Sequence, residues 1–258
     1  MVRTGGIPAK MLGDDIYLRG YAKTADGTYV YTQLMRYSPK MYAMSRLEKS
    51  EDAQLKALCV ALLNYGAQAQ KYFGYRTDAL MNADLTAQQQ ALVSGYTDDM
   101  VTPVAKADEA KAGVFVNNQG FRKRTASVSL DGVFAINYYF TPAKAVEGSV
   151  TFYCWSAETY EGATALTAQN ATAAVTMEPA DNGAYFAKVD GIAAKDFDEP
   201  VYVAAVYEAE GQTQCTGIIA YSLSGYFAGR VQKDSGQLKD LSAAAAVYGF
   251  YAKNYFVK

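Results

Sequence analysis

Apolar and aromatic residues step by three and four along two stretches of the chain. In the first they are Leu55, Leu58, Leu62, Tyr65, Ala69 and Tyr72; in the second Leu238, Leu241, Ala245, Tyr248, Ala252 and Tyr255. Each set draws one stripe along a helix. A shorter helix is expected before the first stripe, from Ser38-Pro39 to about residue 48. Serine is a favoured cap there, and proline at the first helical position loses no hydrogen bond. The long helix then starts near residue 51. In the second stretch Asp234 with Gln237 reads as a variant capping box. Thr86-Ala87-Gln88-Gln89 reads as another, opening a helix within residues 77–96. Alternating aromatic and β-branched runs predict strands at 16–22 and 29–37, around the turn Thr24-Ala25-Asp26-Gly27. Strands at 125–130 and 133–140 flank Asp131-Gly132, a two-residue hairpin signal. Further strands are expected at 150–156, 173–177, 184–189, 201–208 and 213–221.

The two helical stretches are one pattern written twice. Tyr37, Ser38, Tyr42, Arg46 and Lys49 match Tyr221, Ser222, Tyr226, Arg230 and Lys233. After one gapped residue, Gln54, Leu55, Lys56 and Leu58 match Gln237, Leu238, Lys239 and Leu241, and the match runs on through Tyr65-Gly66 and Tyr248-Gly249. Upstream, the segment from Gly6 parallels that from Gly191, with Asp14-Asp15 set beside Asp198-Glu199. Residues 6–73 and 191–256 are therefore expected to be copies of one unit. Strands at 125–190 precede the second copy, whereas only residues 1–5 precede the first. Either the chain is a fragment of a longer protein, the favoured reading, or its N-terminal half lacks part of a sheet and exposes an edge. Gly66 and Gly249 inside helices cost roughly 1 kcal/mol against alanine, so a close approach of each helix to the sheet it covers is expected. The fold class is α+β: antiparallel, sandwich-like sheets with a helix pair packed on each, in two related units. The division expected is a truncated first repeat at 1–97, a linker at 98–112 and a complete second repeat at 113–258.

Composition narrows the chemistry. The 258 residues are 50% hydrophobic and 19% charged, so disorder is excluded as the main state. With 24 basic and 26 acidic residues the net charge is −2, which gives no field to collect nucleic acid. No His is present, so His-dependent nucleophile pairs and His-ligated metal sites cannot form within the chain. Cys59, Cys154 and Cys215 lie far apart and read as buried thiols, not a metal site or disulfide framework. No cofactor is expected. No apolar run approaches the ~18 residues of a membrane span, and residues 1–10 show no signal-peptide core.

The helix signature, running from Tyr37 to Phe73, together with SLDGVFAINYY from Ser129 to Tyr139, resembles a repeat module of large secreted surface proteins of gut Firmicutes. The second copy departs from it, with LSAAAAVYG at Leu241 to Gly249 where Leu58 to Gly66 reads LCVALLNYG. The resemblance implies an extracellular, cell-surface setting and a modular, monomeric unit of a longer adhesin-like chain. It implies no settled activity. At the level of class it points to a host protein (immunoglobulin among them) or a glycan as partner.

Three functions compete: a non-catalytic binding module, a structural spacer and a glycoside hydrolase. Paired carboxylates suffice for glycoside hydrolysis without His, and Glu158, Glu161, Asp198 and Glu199 are the candidates. Glu158 and Glu161 sit in a loop signal and the other pair in a turn, so solvated acids are the simpler reading and no catalytic residue is assigned. For binding, the candidates are Tyr153 and Trp155, which share one face of a strand, and Phe121, Arg122 and Arg124, a basic cluster with an aromatic. A binder should also expose an aromatic patch above about 400 Å²; a spacer should not.

Overall fold

The computed structural model describes residues 6–130, 132–180 and 182–257. The chain runs β1 (Ile16–Leu18), β2 (Tyr21–Lys23), β3 (Tyr29–Tyr31), β4 (Met35–Tyr37), α1 (Pro39–Lys49), α2 (Ala53–Phe73) and α3 (Ala87–Gln90). It continues through β5 (Phe121–Ser129), β6 (Ala135–Pro142), β7 (Glu147–Trp155), α4 (Ala157–Gly162), β8 (Ala173–Met177) and β9 (Tyr185–Asp190). It closes with β10 (Val201–Ala209), β11 (Gln212–Cys215), β12 (Ile219–Tyr221), α5 (Leu223–Lys233) and α6 (Gln237–Phe256). This is an α+β arrangement in which all strand pairing among the described residues is antiparallel.

Local signals set the helix ends. Ser38 accepts a hydrogen bond from the Met41 amide and Pro39 opens α1. Asp52 accepts from the amides of Gln54 and Leu55 at the start of α2. Thr86 and Gln89 form the expected reciprocal box, although the helix after it is one turn long. The Asp234–Gln237 box does not form. The chain reverses at Gly236, φ +67°, so Gly236 caps α6 and Asp234 closes α5 instead, against the Arg230 carbonyl and guanidinium. Within the other expected hairpin turn, Asp131 lies outside the described residues, as do residues 1–5.

Two sheets share one core. The larger runs β11-β10-β7-β8 with β12 also on β10; the smaller runs β5-β6-β9. Ile136, Tyr138 and Phe140 of the small sheet meet Val150, Phe152, Val203, Ala205 and Tyr207 of the large one. The Tyr138 and Phe152 rings lie 5.6 Å apart across the gap. Leu223, Phe227, Leu241 and Ala245 of α5 and α6 join the same core. α1 and α2 form a second core around Leu47, Val60, Leu63 and Met81. The two helix pairs meet where α2 lies against α6, with Tyr65 stacked on Tyr248.

The N-terminal ribbons β1–β4 and β2–β3 continue one another as a long hairpin, bridged by the Thr32 amide donating to the Gly20 carbonyl. Its pairing follows that of β10 with β11 and β12. Ile16 faces Tyr37 as Val201 faces Tyr221; Leu18 faces Met35 as Val203 faces Ile219; Tyr21 faces Tyr31 as Val206 faces Cys215. The helices after each hairpin also correspond. The Lys40 amide donates to the Leu12 carbonyl as the Ser224 amide does to Phe197, and Arg46 lies over the Tyr42 ring as Arg230 does over Tyr226. This register sets Leu12 beside Phe197, so Asp14 matches Glu199, one residue away from the alignment read off the acidic turn.

The helix glycines serve a different neighbour from the one expected. A Cβ on Gly66 would meet Met81, the Ala9 carbonyl and Leu12; one on Gly249 would sit 2.4 Å from Phe197 Cδ2. In both places the helix closes on the short turn ahead of the hairpin, not on a sheet. Two further expectations change. Residues 98–112 are not a free linker: Met100, Val101 and Ala112 are buried, and the Thr102 amide donates to Asp198 and Ser224. Glu158 and Glu161 lie on α4, a short helix capped by Ser156, and not in a loop.

Candidate binding cleft

The two sheets share a core but do not close along their whole length. At one edge, the β11–β12 connection and β12 stand away from β5 and β6, and residues 104–117 wall the opening. The result is a cleft of about 720 Å³, inside the usual range for small-molecule sites. Gly217, φ +75°, turns the chain between β11 and β12, and a Cβ there would press on Asn117 of the wall.

The floor is aromatic. Tyr138, Phe140 and Tyr221 line it, with the Tyr138 and Phe140 rings parallel at 6.2 Å and Tyr221 edge-on to Tyr138 at 6.3 Å. The rim is charged, carrying Lys106, Asp108, Glu109 and Arg124. Arg124 reaches from β5 across to the large sheet, where its guanidinium donates to the Thr216 carbonyl. The wall is fixed by the Asp108 amide donating to the Tyr160 hydroxyl, and by Lys111 Nζ donating to the Tyr160 and Glu161 carbonyls. At the floor the Tyr138 hydroxyl is buried and has no hydrogen-bond partner among the described residues. Burial, with Cys154 and Tyr221 nearby, pushes its ionisation far above the usual tyrosine range. A hydroxyl in this setting is a neutral donor without an acceptor, which native proteins seldom leave unused.

The five candidate residues do not form one site. Trp155 is fully buried, so the Tyr153/Trp155 platform is not a surface. Phe115 covers it at 4.9 Å, and its indole N–H donates to the Thr167 carbonyl and Asn170 Oδ1. Tyr153 is half-buried against the same two rings, behind the cleft wall. Phe121 is buried between Phe140 and Tyr207. Arg122 is exposed on β5 and does not line the cleft. Only Arg124 belongs to the cleft. Tyr138 and Tyr221 come together from β6 and β12 and nothing local links them; in the sequence each holds a place in an expected strand, and Tyr221 a match to Tyr37, but no shared site.

Of the acids weighed for hydrolysis, Asp198 has another duty. Asp198 is half-buried. Burial alone would raise its carboxyl, but hydrogen bonds from Ser224, Lys253 and the Thr102 amide hold it below the usual range. No group of three or more metal-ligating side chains occurs among the described residues, and no helix among them is long and apolar enough to cross a membrane.

A second exposed aromatic surface is the N-terminal hairpin, where Tyr17, Tyr21, Tyr29, Tyr31, Leu34 and Met35 are all exposed. Tyr21 packs on Tyr29 and Tyr31, at 5.6 and 6.2 Å between ring centres, and Arg19 lies over the Tyr31 ring.

No protein-family model matches the chain, and no curated protein matches it. A solved structure titled "Crystal structure of Br derivative BhCBM56" aligns with 40% of this chain and 98% of its own, at 14% identity and a TM-score of 0.27.

Proposed function

We propose that this chain is a non-catalytic, extracellular module of a bacterial surface protein, built as two related units, and that it binds a glycan in the cleft between its sheets. The two-unit reading draws support from the matched pairing of residues 16–37 and 201–221. The complete second unit is a sandwich whose helix pair seals one end of the core. The cleft is the observation that carries binding. Tyr221, the part-exposed ring of the floor, suits the apolar face of a sugar ring, and the charged rim and the Thr216 to Tyr221 backbone suit its hydroxyls. Tyr138 supplies an unspent donor beside Tyr221 at the bottom. A host protein, immunoglobulin included, is the second partner class, favoured by the exposed aromatic hairpin. A plain spacer would bury those aromatics.

The test is a glycan array followed by titration of the hit. Thr125 is exposed and lines the cleft, so Thr125→Trp fills the opening without entering the core. The expected result is binding that falls at least tenfold in T125W while the melting temperature holds. Binding unchanged by T125W removes the cleft from the account. Silence on the array and in a pull-down from serum and mucus leaves the spacer.

A further inference from the structure

The two hairpins share a pairing pattern but not an environment. β10 is a central strand: Val203 pairs with Ile219 on one side and with Cys154 of β7 on the other. Its counterpart Leu18 pairs with Met35, and among the described residues no strand lies on the other edge of β1 or β2. The difference shows in burial. Tyr202, Val203 and Cys215 are buried, whereas Tyr17, Leu18 and Tyr31 at the same register positions are exposed. An edge strand normally carries charge or proline to blunt it; here Arg19 and Lys23 are the charges, and the other positions from Ile16 to Ala22 are aromatic, aliphatic or glycine. An isolated two-stranded hairpin is also marginal in water. The hairpin has the composition of a buried strand and the surroundings of an open one.

We propose that β1 and β2 are an acceptor edge for a strand block of the same chemistry as residues 121–190. The block lies antiparallel on this edge as β7 lies on β10. The register follows from the second unit. In β7, Trp155, Cys154, Tyr153, Phe152 and Thr151 face Tyr202, Val203, Ala204, Ala205 and Val206. The corresponding residues of the incoming strand face Tyr17, Leu18, Arg19, Gly20 and Tyr21. Gly20 sits where Ala205 is fully buried, so a large side chain in the Phe152 place has room above it. Backbone hydrogen bonds supply affinity and alternate side chains supply selection, as in strand addition generally. A second copy of this chain cannot serve both its own β10 and a neighbour's β1 with its one β7. The occupant is therefore a further block of this kind.

The proposal rests on the two-unit reading, and its test separates the two. Cross-strand NMR contacts between Tyr21 and Tyr31, beside those between Val206 and Cys215, check the reading in the chain as it exists. The full chain is then made with a duplicate of residues 113–190 joined ahead of Gly6, and amide hydrogen exchange is followed over residues 16–37. Protection of 17–21 should rise at least tenfold, and should vanish when Phe152→Pro is placed in the added block only. A nine-residue peptide of the β7 sequence, at millimolar concentration, should slow the same amides. Unchanged exchange in both experiments, with the Tyr21–Tyr31 contacts present, overturns the acceptor edge. So does exchange in the unextended chain that slows with protein concentration, because the cover is then a second copy.

Discussion

Tyr65 of α2 and Tyr248 of α6 stack with ring centres 5.7 Å apart and planes 5° from parallel. These two residues hold the same place in the two helical stripes, so each helix presents its own tyrosine to the other's. Phe134, in the chain leading into β6, extends the stack at 5.6 Å from Tyr65. Aromatic pairs of this kind contribute about 0.5–1.5 kcal/mol beyond the area they bury. Tyr65→Ala is expected to cost about 3–5 kcal/mol, as for other large buried rings. A double-mutant cycle with Tyr248→Ala by urea unfolding should return a coupling of about 1 kcal/mol. A coupling of zero would remove the stack from the helix interface.

Gly249→Ala should destabilise more than Gly66→Ala. At Gly249 the new methyl meets the Phe197 ring, itself wedged against Phe134 at 4.6 Å and Phe227 at 5.6 Å, so nothing yields. Overpacking of that sort costs about 1–3 kcal/mol. At Gly66 the nearest atom, Met81 Cγ, is 2.7 Å away and the Ala9 carbonyl 3.2 Å, a milder clash than the 2.4 Å approach to the Phe197 ring, while the roughly 1 kcal/mol helix gain of alanine applies at both positions. Thermal melts of the two variants check the order.

Tyr138→Phe separates structure from ligand. Removing a buried hydroxyl that has no partner should raise stability by up to about 2 kcal/mol. The same change should weaken glycan binding roughly 3- to 10-fold, the worth of one hydrogen bond. A variant both less stable and equally good at binding would contradict both roles.

Asp198 sets an acid dependence. Its carboxyl is held low, against burial, by Ser224, Lys253 and the Thr102 amide. The stabilisation is therefore complete above the unfolded-state value of about 4 and fades as pH falls through the lower folded-state value. Asp198→Asn should be less stable than the parent at pH 7, and the gap should be smaller at about pH 3. Denaturant midpoints at the two pH values measure it.

All three thiols should be inert while the chain is folded. Burial pushes Cys59 and Cys154 up to about 11 and raises Cys215, so little thiolate exists at pH 8. Thiol reagents should modify none of the three until denaturant is added; one fast-reacting equivalent in the folded chain would place a cysteine at the surface.

Much of the fold was legible because its signals are local. Ser38-Pro39, the Thr24–Gly27 turn and the three-four stepping each state an element within a few residues. Burial was harder. Alternation along β7 put Tyr153 and Trp155 on one face, but that Phe115, from an irregular stretch, lies over Trp155 could not be read from either segment. Residues 98–112 read as linker because charged residues and a proline break up their apolar positions, yet buried Met100, Val101 and Ala112, with the Thr102 amide bonds, dock them. α4 was hidden because SAETYEGA carries its Ser156 cap inside a run that otherwise resembles a loop. The cleft depends on pairs far apart in sequence, Arg124 with Thr216 and Tyr138 with Tyr221, which no period announces. The acidic-turn alignment slipped by one because like residues were matched where the backbone register decides.

One strand-and-helix unit present twice, with one register and two environments, must exchange its amides at two rates. Residue-resolved hydrogen exchange on the intact chain reads both. Residues 202–206, held on both edges, should exchange at least a hundredfold more slowly than residues 17–21, their open counterparts. Equal protection of the two segments would contradict it.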